Sequence, residues 1–459
     1  MQNHASSTFI FCLRLALGLT AALAIFTSAA LAQNFADIKP SPQQSEWQDL
    51  EFGVIIHFGT NTFLDREWGD GNASPQTFSP SQFDPGQWMQ AIKASGAKYV
   101  VLVAKHHDGF CLWPTGQTEY SVKSSPWEQG HGDVVRQVSD AARKFGLKFG
   151  IYLSPWDRHE PKYQNSAAYD DYYISQLQEL ASNYGNLAEF WLDGAGSEGH
   201  VYNFPRYIEN LRVYQPNTLV FADAALFEYG DIRWAGNEEG TVAYENWNVL
   251  DRHGYLRWRP VEADTPLHKG HWFWHPNDEA TLKTVAELVS TYEGSVGRGG
   301  QLMLGIAPDR KGLLPDADVK RLEQLGAAIH QRYATNLVAK EHTHTAATEA
   351  AFDNDPATFW SAPAGSHHAL LEADFPRPIT FDRSLVMEWL NDGQRVEHYR
   401  VEAWDGKNWN ALVEGHAIGH KRIDSFGRVT ASRVRLNILG SSAEAHIREF
   451  QLFKDSPQP

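Results

Sequence analysis

The chain has 459 residues, 42% of them apolar, a formal net charge of −16 and 16 tryptophans. That length suits two domains, each with its own core. The acidic balance, without a basic patch or a long charge run, argues against nucleic acid and anionic membranes as partners. Tryptophan faces cover the apolar side of sugars, but large cores also use the residue, so the count alone does not choose.

The first residues read as a targeting signal. Arg14 supplies positive charge, Leu15 to Phe26 is an apolar run, and Ala30-Leu31-Ala32 has the small side chains of a cleavage site. The run is too short to span a bilayer comfortably. Residues 1–32 are therefore expected to leave as a signal peptide, placing a mature chain from Gln33 in the periplasm or outside the cell, free of the membrane. An uncleaved anchor is the alternative. Cys12 departs with the signal and Cys111 remains alone, so no disulfide forms within the chain and stability rests on packing.

From Trp47 to about Ala334 strand and helix patterns alternate. Gly53 to Gly59 reads as the first buried strand, and Pro85 to Ser95 as a helix closed by Gly96. Tyr99 to Ala104 is a continuous apolar run, as in a strand covered on both faces. Asp133 to Phe145 reads as a helix with Gly146 at its C-terminus, followed by a strand from Lys148 to Leu153. A helix over Tyr169 to Tyr184 precedes the strand Ala188 to Leu192. Leu219 to Phe221 and Thr241 to Tyr244 give weaker strand patterns. Glu279 to Ser290 reads as a helix and Gln301 to Leu304 as a late strand. This alternation predicts a parallel sheet, and the length favours an α/β (β/α)8-barrel over residues 33–338.

Beyond about Lys340 short runs are separated by turn dipeptides such as Asn354-Asp355-Pro356, Asp392-Gly393 and Asp405-Gly406. His398 to Ala403 and Arg433 to Ile438 alternate apolar and polar residues. Residues 339–459 are thus expected to form an all-β antiparallel sandwich.

Polar residues gather where barrel strands should end, which is where barrel active sites lie. His57 closes the first strand, Lys105-His106-His107-Asp108 the second, Tyr152 the third and Asp193 the fourth, with Glu67-Trp68 in the first loop. Asp193 by itself could equally make a local Asx-turn, with Gly194 letting the chain turn away. Neutral histidine donates with one ring nitrogen and accepts with the other, which suits sugar hydroxyls. A metal site is the competing use of His106 and His107. Adjacent strand residues point to opposite sides, and neither Cys111 nor a His-x-x-x-His spacing at these two histidines supports a zinc site, so neither metal nor cofactor is expected.

The blocks His57-Phe58-Gly59, Glu67-Trp68, Lys105 to Phe110 and Phe190 to Gly194 resemble glycoside hydrolase family 29, the retaining α-L-fucosidases. The resemblance implies that Asp193 is the nucleophile. It also implies that His57, Glu67, Trp68, His106, His107 and Tyr152 contact fucose. Arg233 to Gly240 is similar to the acid/base block of the subfamily that prefers α-1,3- and α-1,4-linked fucose, which makes Glu238 the acid/base. Glu239 and Glu245 lie close by and stay open as alternatives. Gln301 and Gly305 stand where the family's last strand commonly has Asn. Asp355 to Ser361 and Gly393 to Val396 resemble discoidin-type (F5/8 C) modules.

The implied reaction is two-step hydrolysis of terminal fucose from an oligosaccharide or glycoconjugate. Asp193 must be ionised, and nearby histidines are expected to hold its pKa low. His271 to His275 offers an apolar wall for the fucose methyl, with Trp274 as the expected contact. A glycosidase for another sugar, such as an α-galactoside, and a non-catalytic glycan-binding protein are the alternatives.

Overall fold

The computed structural model describes residues 35–197, 199–222, 230–252, 255–341 and 348–455. The expected signal peptide and the cleavage point before Gln33 lie outside the described residues. No described helix is long and apolar enough to cross a membrane.

Eight parallel strands close into a barrel. They are β1 (Phe52–Ile56), β2 (Tyr99–Lys105), β3 (Lys148–Leu153), β4 (Glu189–Leu192), β5 (Leu219–Ala222) and β6 (Ile232–Trp234). A hairpin of β7 (Val249–Arg252) and β8 (Tyr255–Trp258) follows, and β9 (Val261–Pro266) and β10 (Gln301–Ile306) complete the ring. The last strand pairs with the first, Phe52 beside Leu302 and Ile56 beside Ile306.

Successive residues of β2 serve two cores because strand side chains alternate. Tyr99, Val101 and Val103 fill the barrel interior with Ile55, Tyr152, Trp191, Phe221 and Met303. Val100, Leu102 and Ala104 face the surrounding helices. The helices start at polar caps. Asp84, Asp133, Asn165 and Asn203 each accept a first-turn N–H for the helices Pro85–Ala94, Val134–Phe145, Ser166–Asn183 and Phe204–Tyr214.

Two expectations fail in the second half of the barrel. Thr241 to Tyr244 is not a strand; the sixth and seventh barrel positions are held by β6 and β9, joined through the β7–β8 hairpin with no helix among the described residues between them. β9 escapes pattern reading because Glu262 and Asp264 interrupt its apolar character, yet it is buried throughout. The expected helix over Glu279 to Ser290 begins later, at Val285, and runs to Ser295. Thr284 and Glu287 form a capping box there, and reciprocal capping fixes a start more firmly than apolar spacing does.

The C-terminal region is a six-stranded antiparallel sheet in the order β11-β16-β12-β15-β13-β14. Its strands are β11 (Trp360–Ser361), β12 (Ala369–Glu388), β13 (Val396–Trp404), β14 (Trp409–Gly415), β15 (Arg422–Ser441) and β16 (His446–Phe453). β12 and β15 are long, and register shifts at Asp374/Ile379 and Phe381/Arg383 let them bend around their own core. The two expected alternating runs fall inside β13 and β15. Leu385, Ile423 and Phe453 of this sheet pack into the barrel's outer core. Arg422 lies over the Tyr244 ring at 3.8 Å, and the Ile423 N–H donates to the Gly297 carbonyl at 2.8 Å.

Candidate active site

The C-terminal ends of the strands surround a solvent-open cavity of about 110 Å³. His57, Glu67, Trp68, His106, His107, Tyr152, Asp193 and Glu238 all line it. Asp193 follows β4 directly. Its Oδ1 accepts the Ala195 N–H at 2.8 Å, an Asx-turn, while Oδ2 accepts the Tyr152 hydroxyl at 2.9 Å. The local reading and the functional one therefore hold together, each on its own oxygen. The left-handed residue of the turn is Gly196, φ +73°, not Gly194. A Cβ on Gly196 would stand 2.0 Å from the Trp156 ring, so the glycine is what lets that ring close over the turn.

His106 and His107 do not alternate across the sheet. The β2–β3 register shifts between Val103 and Lys105, and the chain leaves the strand at His106. Both rings then turn to the cavity, 4.2 Å apart between centroids. Lys105 points the other way, into a buried ion pair with Asp157 at 3.0 Å and a hydrogen bond to Gln176 at 3.0 Å.

Burial holds all three cavity histidines neutral. It pushes His57 and His106 well below the ordinary range, and His107 down to about 3. Ser154 donates its hydroxyl hydrogen to the Trp156 carbonyl at 2.8 Å, so it must accept from His107 Nδ1 at 2.7 Å. That fixes the tautomer and leaves His107 Nε2 as an acceptor, 3.5 Å from Asp193 Oδ2. Asp193 itself is raised above the ordinary carboxylate range by burial, against the Ala195 N–H and the Tyr152 hydroxyl, which lower it. The expectation that histidines keep it low is corrected. Neutral rings carry no charge to stabilise the carboxylate, and burial prevails.

Glu67 is a wall rather than a free carboxylate. Oε2 accepts the Trp272 N–H at 2.9 Å, and Oε1 accepts the Phe273 N–H at 3.1 Å and meets His275 Nε2 at 2.6 Å. Burial disfavours a charged His275, but Glu67 and Asp65 outweigh it and raise its pKa. This clamp sets the face of the loop. Trp272 lines the cavity, while Trp274 lines a neighbouring one, with Arg310 over its ring at 5.4 Å. Trp274 is thus not brought to the site and Trp272 stands in its place.

Among the three glutamates near β6, only Glu238 lines the cavity. Oε2 of Glu245 instead accepts the His416 N–H from the C-terminal sheet at 3.0 Å. Glu239 is exposed. No group of three or more His, Cys, Asp or Glu among the described residues is arranged to hold a metal ion.

The family described as alpha-L-fucosidase matches residues 20–332, and the F5/8 type C domain matches residues 334–450. The chain belongs to the α-L-fucosidase family.

Relatives within this family include putative alpha-L-fucosidase 1 of Oryza sativa subsp. japonica, 36% identical over 91% of this chain and 85% of that protein. Alpha-L-fucosidase 1 of Arabidopsis thaliana is 34% identical over 86% of this chain and 83% of that protein. Among solved structures, a putative alpha-L-fucosidase from Bacteroides thetaiotaomicron superposes with a TM-score of 0.86 at 36% identity, covering 92% of this chain and 98% of that one. A family 29 fucosidase of Ruminococcus gnavus in complex with fucose gives 0.83 at 28% identity, over 92% and 96%.

For an α-L-fucosidase, the sequence reading omits several cavity residues: Ile55, Trp191, Ala195, Phe221, Trp234, Asp264 and Trp272. Trp191 sits inside the block that identifies the fucosidase, where its strand position alone would have turned it inward. It stacks on Phe221 with centroids 3.7 Å apart and donates to Glu262 at 2.9 Å. Asp264 and Trp234 lie on the two strands that pattern reading does not find.

Proposed function

We propose that the chain is an exported, exo-acting, retaining α-L-fucosidase that removes terminal α-1,3- or α-1,4-linked fucose from oligosaccharides or glycoconjugates. The observation that carries this reading is the shared cavity. Asp193, held on a strand end by two donors, and Glu238 line one space with three neutral histidines.

In this reading Asp193 attacks the anomeric carbon while Glu238 protonates the departing glycosidic oxygen. The bond to the leaving sugar breaks and an Asp193–fucosyl ester forms. Glu238, now ionised, takes a proton from water as the water attacks the same carbon. The ester bond breaks and Asp193 is regenerated, with net retention. Retaining pairs stand roughly 5–5.5 Å apart. Partial desolvation favours the attack, because a poorly hydrated carboxylate gives up little solvent on forming the ester. His107 Nε2 accepts a sugar hydroxyl hydrogen, and Trp272 supplies an apolar wall for the methyl group. The linkage preference rests on the likeness of the Glu238 block alone.

Incubation with 2′-fucosyllactose, a Lewis-type trisaccharide and an aryl α-L-fucoside tests this, with NMR of the first anomer released. Release of α-fucose from the Lewis-type and aryl substrates is expected. First release of β-fucose refutes the retaining mechanism, and no release of fucose refutes the activity.

A further inference from the structure

Asp264 is a further acid in the cavity, beside Asp193, Glu238 and the clamped Glu67. It lies within the wholly buried β9 and is 7% exposed. Its Oδ1 accepts the Trp234 indole N–H at 2.6 Å, and its backbone carbonyl accepts the Gly240 N–H at 3.0 Å. The first bond fixes the carboxyl's rotation. The second ties down the loop that carries Glu238.

A group needed only to receive an indole N–H has no reason to be an acid facing two other acids. Burial raises Asp264 to about 7, and the charges of Glu238 and Asp193 add to the effect. Such a costly arrangement is tolerated where a ligand uses it. With Oδ1 occupied, Oδ2 is the atom left for a ligand. Carboxyl and carboxylate alike can bond a hydroxyl, which both donates and accepts.

Depth decides which sugar it meets. Glu238 stands on the loop beyond β6, at the level of the glycosidic oxygen in the proposed reaction. Asp264 is on the strand itself and buried, whereas Glu238 is exposed. Building on the fucosidase reading, we infer that Asp264 contacts the fucosyl unit, its Oδ2 hydrogen-bonding a sugar hydroxyl close to the scissile bond.

The test compares Asp264→Ala and Asp264→Asn with the wild type. It measures competitive inhibition by free L-fucose, kcat and KM on an aryl fucoside and on an oligosaccharide, and the melting temperature. Asp264→Ala should weaken fucose binding about tenfold, the loss of one buried hydrogen bond, and by a similar factor with both substrates. Asp264→Asn should stay within about threefold, because a carboxamide still accepts from Trp234 and donates to a hydroxyl. Unchanged fucose inhibition in Asp264→Ala, a loss confined to the oligosaccharide, or an Asn variant as impaired as the Ala variant overturns the inference. A purely structural role would lower the melting temperature without moving the inhibition constant. If the wild type neither binds fucose nor cleaves the fucosides, the functional reading falls instead.

Discussion

Beneath the active site, Glu189 of β4 and Glu262 of β9 meet carboxyl to carboxyl, both fully buried. Trp47 donates to Glu189 at 3.0 Å, while Tyr99 and Trp191 donate to Glu262 at 2.7 and 2.9 Å. Two adjacent buried carboxylates cannot both ionise cheaply, so the pair holds a proton. Burial lifts Glu189 from its ordinary 4.5 to about 7. A raised folded-state pKa gives stability that is complete below the unfolded value and lost as pH rises through the folded one. At about 1.4 kcal/mol per pH unit the contribution is about 3 kcal/mol, and most of it disappears between about pH 5 and about pH 8. Glu189→Gln is neutral at both ends of that range. Its carbonyl can accept from Trp47 and its amide can donate to Glu262. The variant should therefore gain about 2 kcal/mol over the wild type on passing from about pH 5 to about pH 8. Urea unfolding followed by tryptophan fluorescence at the two pH values measures this. A difference between variant and wild type that stays constant, or shrinks as pH rises, refutes the shared-proton argument.

Asp193→Ala should fold and lose about 10³-fold or more in turnover, as removal of a covalent nucleophile does; near wild-type rates would place the nucleophile elsewhere. Because burial raises Asp193, its charged form costs stability near neutrality. Asp193→Asn should therefore melt higher than the wild type, and an unchanged or lower melting temperature contradicts that. Glu238→Ala should lose far more activity on an oligosaccharide than in fucosylation by an aryl fucoside, with azide rescue giving a fucosyl azide of retained configuration. The same pattern in Glu245→Ala would reverse the assignment. A chain ending at Tyr333 keeps every cavity residue but loses Leu385, Ile423 and Phe453 from the barrel core, so it should aggregate or melt lower. Full stability and activity in that truncation would make the sheet an independent module.

Much of the fold was legible because its signals are local. The β-branched run in β2, the glycines that end the helices and the turn dipeptides act over a few residues, whatever their surroundings. The same holds for the blocks that carry His57, His106, His107, Tyr152 and Asp193, since a strand end is both a sequence feature and a place in a barrel. Barrel closure decided the rest. It turns the charged side chains of β9 inward against Tyr99, Trp191 and Trp234, so a strand that reads as polar is buried. It breaks strand alternation after Lys105, so both histidines share one cavity. Backbone bonds from Glu67 to Trp272 and Phe273 choose Trp272 over Trp274, and a bond from the distant His416 draws Glu245 away while Glu238 stays at the cavity. Each of these depends on partners far apart in the chain, and a buried acid's protonation depends on all of its neighbours at once. Sequence alone therefore determines which chemistry is present, and only the closed barrel decides which groups meet and in what charge state.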